Sequence, residues 1–243
     1  MSDVTRIWTY LSADPLLWLT LTLVAYLIGD AAFVASGRRP LVNPVLLAVA
    51  ILAVVLRLTG TPYQTYFAGA QFVHFMLGPA TVALAVPLHA NLPRIRASAL
   101  PMAAALVAGA LTGMVSAVLI AAAMGVTGQT LLSLAPKSVT APVALGVSEA
   151  IGGSPTLTAV LVILTGITGA IIATPLLNAL GVKDWRARGF AVGVASHGIG
   201  TARAFQVNET AGAFAGIGMG LNALLTALVA PLLAPPLIAL LTH

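Results

Sequence analysis

The sequence predicts an all-α fold, a polytopic transmembrane helical bundle with about seven to nine membrane segments. Its 243 residues are 59% hydrophobic and 7% charged, and the mean hydropathy is +1.04, a composition that no water-soluble surface tolerates. Long apolar runs recur between short polar segments. Glycine, proline and charged residues interrupt some of these runs, which predicts broken or re-entrant half-helices.

The apolar runs of the chain are of two kinds, continuous and interrupted. The continuous runs lie at 15–35, 41–58, 98–125, 156–181 and 210–241. The interrupted runs lie at 66–90, 138–152 and 189–206. The chain 1–243 is therefore interpreted as a single integral membrane domain. A short similarity between Leu77–Leu88 and Ser138–Leu145 indicates repeat halves at about 41–126 and 127–243.

Basic residues between the apolar runs set the expected topology, because cytoplasmic loops are enriched in lysine and arginine. Arg38 and Arg39, Arg94 and Arg96, and the cluster at 183–188 are all predicted to lie inside. Run 98–125 must then lead outward and run 156–181 inward. The segment 127–155 therefore begins and ends outside, so it is either re-entrant or a pair of short helices.

Helix start and stop signals divide this segment. Ser138 or Thr140 can cap a helix that has Pro142 in its first turn. The residues Gly152–Pro155 can end that helix and begin the next. At about 1.5 Å per residue such a helix crosses little more than half of the bilayer core.

Two further breaks are predicted within apolar runs. Gly198 and Gly200 weaken the helix at 193–203, and Thr201 can cap a new one. The other break is Gly78-Pro79. Paired broken segments in two halves of a chain point to a transporter binding site.

Arg203 is the first candidate for binding an anion. It is expected in the first turn of a half-helix whose free N–H groups at Gly198, Gly200 and Thr201 suit a carboxylate. The alternatives are a structural ion pair with Glu209 or Glu149 and a position at the membrane interface.

Lys137 supplies a second positive charge, immediately before the half-helix that Ser138 and Thr140 begin. The alternative is a lysine that extends to water at the membrane edge. His197 and Glu149 are candidates for proton or ion coupling, and His197 could also donate to substrate. The alternatives are a packed neutral histidine and a carboxylate paired with Lys137 or Arg203.

Asn43 followed by Pro44 is most simply a helix cap and a first-turn proline. It is retained as a candidate because it belongs to the motif set described below. The candidate substrate-binding residues are Arg203, Lys137, Ser138, Thr140, His197, Gly198, Gly200, Thr201 and Asn43.

Several function classes are disfavoured. There is no cysteine, so thiolate metal sites and cysteine nucleophiles are excluded, and no metal or cofactor motif is present. The net charge of +5 comes from basic residues that flank apolar runs, so nucleic acid is not a predicted partner. Ser196 and His197 are adjacent and lack a nucleophile-elbow sequence, which argues against an enzyme.

Gly212, Gly216 and Gly220 form a small-residue ridge that predicts close helix packing, and we expect a homo-oligomer.

Several motifs together resemble the LrgB/CidB family of membrane proteins over most of the chain. They are Asn43-Pro44, Leu77–Leu88, Pro136–Pro142, Ile151–Ala159 and Ala187–Ala204. The resemblance, which includes the plastidic glycolate/glycerate translocator, implies export or exchange of small monocarboxylates such as glycolate, glycerate or pyruvate. It also implies a multi-pass protein of the bacterial inner membrane, with a small LrgA/CidA-type membrane partner.

Three functions therefore remain open. The first is a secondary carrier in which the half-helix ends near 137–142 and 197–203 hold a carboxylate, with Arg203 as the principal counter-charge. The second, which the resemblance also implies, is a holin-like or antiholin-like pore or regulator of murein hydrolase release and autolysis. The third is an inert assembly subunit for a partner membrane protein, which would give no flux from the purified chain alone.

Overall fold

The computed structural model describes residues 14–76, 79, 82, 89 and 92–241, and this part of the chain is all-α, as predicted. Its helices are α1 (Pro15–Ala35), α2 (Pro44–Thr59), α3 (Tyr63–Phe75), α4 (Leu92–Ala97), α5 (Ala99–Ala123), α6 (Gly128–Leu134), α7 (Ala141–Ala150), α8 (Pro155–Ala179), α9 (Trp185–Val207) and α10 (Glu209–Leu241). Helices α1, α5, α8 and α10 are long and apolar enough to cross a bilayer. The predicted break at Gly78 and most of the similarity at 77–88 lie outside the described residues.

The chain divides into two compact units, residues 1–85 and 86–243. In the first, Trp18 is fully buried and packs edge-on against Tyr66, with ring centroids 5.9 Å apart. Asn43 caps α2, because its side-chain oxygen accepts hydrogen bonds from the backbone N–H groups of Val45 and Leu46 at 2.9 and 3.1 Å. This is the structural role that the Asn-Pro sequence predicts.

Within the second unit, segment 127–155 forms the predicted pair of short helices. Helix α7 begins after Thr140, has Pro142 in its first turn and is 10 residues long, which is about 15 Å. Helix α8 begins at Pro155, where the Ser154 hydroxyl accepts from the Leu157 N–H. Helix α6, the turn at 135–140 and helix α7 are together called hairpin 1 (residues 128–150), and the turn is its tip.

A buried polar network holds the outer end of hairpin 1 against α8. Ser133, Ser148 and Thr158 are completely buried. The Thr158 hydroxyl lies 3.0 Å from the Ser133 carbonyl oxygen and 2.7 Å from the Ser148 hydroxyl. The Ser133 hydroxyl donates to the Gln129 carbonyl and accepts from the Ser154 N–H, both at 2.7 Å. These bonds satisfy groups that lipid could not satisfy.

Replacing Thr158 with valine, which keeps the shape but removes the hydroxyl, is expected to lower the unfolding free energy by about 1–3 kcal/mol, because buried partners lose a hydrogen bond. Thermal unfolding in detergent measures this. Thr156→Val is the matched control, since Thr156 is exposed in the turn before. Equal destabilisation by both variants would contradict the role of the network.

Helix α9 is folded back on itself rather than straight. Ser196 and His197 leave the helical conformation, and His197 has φ 42° and ψ −137°. A Cβ on Gly200 would lie 3.3 Å from the Val192 carbonyl oxygen and 2.5 Å from the Ser196 Cβ, whereas eight residues of straight helix span about 12 Å. Residues 185–207 therefore form a second re-entrant hairpin, hairpin 2, with its tip at Ser196 and His197.

The predicted break at 193–203 is confirmed, but its form differs from the expectation. The second arm begins at Gly198, directly after His197, and not at Thr201. Thr201 is not its cap, because its hydroxyl donates to the His197 carbonyl oxygen at 2.8 Å inside the arm. The left-handed φ falls on a histidine and not on Gly198 or Gly200.

Helix α10 packs along both arms of hairpin 2. Gly189 and Gly193 of the first arm lie directly against the backbone carbonyls of Ala211 and Ala215. The two pairs advance together along the chain, so this arm and α10 run parallel. The second arm runs antiparallel to α10, since Phe205 contacts Gly212 and Thr201 contacts Met219.

The basic loop at 183–188 and the start of α5 lie at the same end of the second unit. Ser98 and Arg186 line one groove there. At the other end, Val118 of α5 packs with Leu131 of hairpin 1 and with Ala234 of α10. Hairpin 1 therefore enters from the end opposite the basic loop, as the positive-inside argument requires within this unit.

Candidate functional site

The tips of the two hairpins meet beside the middle of α8. Val139 and Ala144 of hairpin 1 pack against Val162. The His197 Nε2 of hairpin 2 lies 2.9 Å from the carbonyl oxygen of the same Val162. A Cβ on Gly166, one turn further, would lie 2.6 Å from the His197 ring. Hairpins that enter from opposite ends thus meet at one level, about halfway along α8, which we call the tip junction.

Helix α5 independently places the tips close together. A Cβ on Gly109 would lie 3.2 Å from Val194 of hairpin 2, and one on Gly113 would lie 3.8 Å from the Ser138 hydroxyl of hairpin 1. These glycines are four residues apart, which is about one helical turn. The separation of the two tips along α5 is therefore about 6 Å.

Polar groups of both hairpins converge at the junction. The Lys137 Nζ donates to the Ser138 hydroxyl at 3.3 Å and acts electrostatically on the His197 imidazole. Because a carbonyl oxygen only accepts, His197 Nε2 must be a donor and Nδ1 is the acceptor of the neutral ring. Thr140 is the N-cap residue of α7, yet its side chain makes no capping hydrogen bond. Its hydroxyl remains available to a ligand.

The electrostatics of the junction favour an anion. Helix α7 and the second arm of hairpin 2 both begin here, and the first N–H groups of a helix have no intrahelical partner. Their dipoles place partial positive charge at the same point as the Lys137 ammonium. Among the described residues, no carboxylate forms a salt bridge with Lys137. A small carboxylate would supply the missing negative charge.

Arg203 lies away from the junction, in the second turn of its arm. The expectation that it belongs to the first turn is wrong, because the arm begins at Gly198. It lines a small cavity of about 20 Å³ with Arg188, Trp185 and Val207, at the end where hairpin 2 enters. Its Nη1 donates to the Gln206 side chain at 3.4 Å. A direct role for Arg203 in binding remains a prediction.

Glu149 lies in the last turn of α7, about 12 Å along the helix from its first residue. It is exposed. Neither of its predicted partners, Lys137 and Arg203, forms a salt bridge with it in the described part of the chain. A coupling role for Glu149 would therefore operate at the entrance of hairpin 1 and not at the tip junction. Glu209 is likewise exposed, at the start of α10.

Arg188 has a structural role that the sequence did not reveal beyond its use as a topology signal. It is 8% exposed and donates to the Val182 carbonyl and the Asn178 side chain, both at 2.8 Å. Its guanidinium lies 4.9 Å from the Trp185 ring centroid. Arg188 thus caps the C-terminal end of α8 and fixes the base of hairpin 2 to it.

Gly166 and Gly169 were also missed, although their spacing carried a signal. Gly169 lies directly against Ser196, as Gly166 does against His197. Small residues three apart on one helix allow another backbone to approach closely. The pair accommodates the tip of hairpin 2 on α8.

Comparison with known protein sequences identifies the family of the chain. The profile of the LrgB-like family matches residues 22–235. The chain is 35% identical over 206 residues to YwbG of Bacillus subtilis, covering 85% of this chain and 91% of YwbG. It is 34% identical over 215 residues to the holin-like protein CidB of Staphylococcus epidermidis, covering 88% and 93% of the two chains. It is 32% identical over 209 residues to the holin-like protein CidB of Staphylococcus aureus, covering 86% and 91%.

No solved structure matches the chain significantly. The family profile and the relatives each cover more than four fifths of the sequence. The chain belongs to the LrgB-like family of membrane proteins.

Proposed function

We propose that this protein is a secondary carrier of small monocarboxylates such as glycolate, glycerate or pyruvate in the bacterial inner membrane. One observation carries the proposal. Two re-entrant hairpins enter from opposite ends and bring two helix N-termini and the Lys137 ammonium together halfway along α8. Broken helices that meet near the bilayer midplane are the usual construction of a carrier site.

The polar groups at the junction can bind one carboxylate group. Lys137 supplies a full positive charge, and the Ser138 and Thr140 hydroxyls can donate hydrogen bonds. The N–H groups that begin α7 and the second arm of hairpin 2 can complete the coordination of the two oxygens. The small separation of the tips and the side-chain-free surfaces at Gly109 and Gly113 favour a substrate of a few carbons.

Alternating access follows from the opposite entry of the hairpins. Helix α7 and both arms of hairpin 2 each span about half of the hydrocarbon core, so withdrawing one tip would open the junction to one side only. Hairpin 2 is fixed to α10 through Gly189 and Gly193, and it would move together with that helix. Hairpin 1, tied to α8 by its buried network, would control access from the other side.

His197 is the proposed link between proton and substrate. It is 4% exposed and contacts α8 through Nε2, which leaves Nδ1 as the ring atom that can accept a proton. A proton on Nδ1 would add a positive charge at the junction and strengthen carboxylate binding. This predicts uptake that rises with an inward proton gradient and a His197→Gln variant that loses the gradient dependence.

Uptake of labelled glycolate and pyruvate into proteoliposomes of the purified protein tests the proposal. We expect saturable uptake, mutual competition between the two acids and stimulation by an inward proton gradient. An encapsulated dye provides the leak control. Non-saturable flux accompanied by dye release would overturn the carrier.

A holin-like pore is the second candidate, favoured by the name of the staphylococcal relatives, holin-like protein CidB. Such a pore needs assembly and no stereospecific site. Dye release that grows with protein density and ignores carboxylate competitors would support it. Flux only after addition of an LrgA/CidA-type partner would instead assign the chain to a two-component assembly.

A further inference from the structure

An apolar groove runs along the outside of the second unit between α5 and the first arm of hairpin 2. It has a volume of about 470 Å³. Its floor is formed by Met102, Phe190, Val194 and Phe214, which are at most 8% exposed. Its walls are the small exposed residues Ala105, Gly109, Ala191 and Ala195. The groove contains none of the polar residues of the tip junction, although its deep end reaches Gly109 and Val194 beside that junction.

The groove has the length of one leaflet. It extends along α5 from Ser98 to Gly109 and along hairpin 2 from Asp184 to Ala195. Each path rises by eleven residues, or about 16 Å, and half of a hydrocarbon core is about 15 Å. Gly109 and Ala195 lie at the level of the hairpin tips, which places the deep end at the middle of the membrane.

The two ends of the groove differ in chemistry. Its shallow end contains Ser98, Asp184 and Arg186, and the exposed Lys183 is adjacent to them. The Arg186 guanidinium is paired with Asp184 at 2.6 Å and holds the pKa of that carboxyl at about 2. Among these four residues, two cations and one carboxylate leave a net charge of +1. The deep end carries only apolar and backbone atoms.

We infer that this groove is a phospholipid site, which holds one acyl chain of a phosphatidylglycerol molecule with its headgroup between Lys183 and Arg186. A cavity one leaflet long, apolar at depth and singly positive at the interface, matches an anionic phospholipid in both length and charge. Because the chain would end beside Ala195, the lipid would support the tip of hairpin 2 from the membrane side.

The absence of cysteine permits a single-site test in the full-length protein. Ala195→Cys carries a trifluoromethyl label at the deep end of the groove. Ala103→Cys carries the same label on an exposed part of α5 outside the groove. Both proteins are placed in phosphatidylcholine nanodiscs with increasing fractions of phosphatidylglycerol that bears a nitroxide near its chain end. Paramagnetic broadening of the fluorine signal is measured.

We expect broadening at position 195 to saturate at a few per cent of the labelled lipid, and broadening at position 103 to follow the bulk fraction linearly. In the double variant that combines Lys183→Gln with Arg186→Gln, broadening at position 195 should follow the bulk fraction linearly, as it does at position 103. The variant Ala105→Phe, whose side chain fills the groove, should also make broadening at position 195 linear, and it leaves the charge unchanged. The site would be overturned if broadening were linear at both positions without these changes. It would also be overturned if broadening at position 195 still saturated after both changes. Neither result depends on the transport assay, so this inference and the carrier proposal can fail separately.

Discussion

Replacing Lys137 with glutamine is expected to raise the KM for carboxylate uptake about 10- to 100-fold, because a charged hydrogen bond to a buried ligand contributes roughly 1.5–3 kcal/mol. Lys137 is the described cation at the tip junction, and two helix N-termini would remain in the variant. Residual, weakly saturable uptake is therefore expected instead of complete loss. Initial rates in proteoliposomes across a range of substrate concentrations measure the effect.

Two further variants make this measurement decisive. Lys137→Arg keeps the charge but changes its geometry, so it should recover part of the affinity. Arg96→Gln removes an exposed cation near the start of α5 and should leave the KM unchanged. An unaltered KM in Lys137→Gln, together with a raised KM in Arg203→Gln, would move the anion site from the tip junction to the base of hairpin 2.

Replacing Gly193 with alanine is expected to destabilise the second unit by about 1–3 kcal/mol or more, the usual cost of overpacking a tight contact. The new methyl group would collide with the backbone carbonyl of Ala215, which cannot rotate away as a side chain can. Hairpin 2 would have to separate from α10, so uptake should fall together with stability. Thermal unfolding in detergent and the uptake assay give the two readouts.

Gly220→Ala on α10 is the matched control. Nothing lies within 4 Å of the methyl group that it would add, and alanine favours a helix over glycine by up to about 1 kcal/mol. This variant should be neutral or slightly more stable. If Gly193→Ala were equally well tolerated, the backbone contact between hairpin 2 and α10 would have no energetic importance.

Hairpin 1 could be predicted from the sequence because independent signals agreed. The positive-inside argument required segment 127–155 to return to the side from which it entered. Pro142 and the residues Gly152–Pro155 supplied the start and stop positions, and the structure has helix ends at those positions. The buried contacts among Ser133, Ser148 and Thr158 were not predictable, since isolated serine and threonine residues carry no positional signal.

Hairpin 2 was only partly predictable. Gly198 and Gly200 indicate that the helix is broken in this segment. An argument based on glycine cannot locate the break itself, because the positive φ belongs to His197. Because a turn of two residues leaves no polar loop in the sequence, the fold-back was not distinguishable from a kink. Arg203 consequently appeared one turn closer to the proposed site than it is. Close packing was predicted at the ridge 212–220 and not at Gly189 and Gly193, because the spacing of glycines alone does not show which face of a helix is packed.

The depth of the tip junction also has an electrical consequence. A charge that crosses the whole membrane at 100 mV does about 2.3 kcal/mol of work. For a monoanion held about halfway along α8, each half of the journey would involve about half of that energy, close to 1.2 kcal/mol. Binding from either side would then depend on voltage to a similar degree, and no step of the cycle would be electrically silent unless a proton on His197 accompanied the anion.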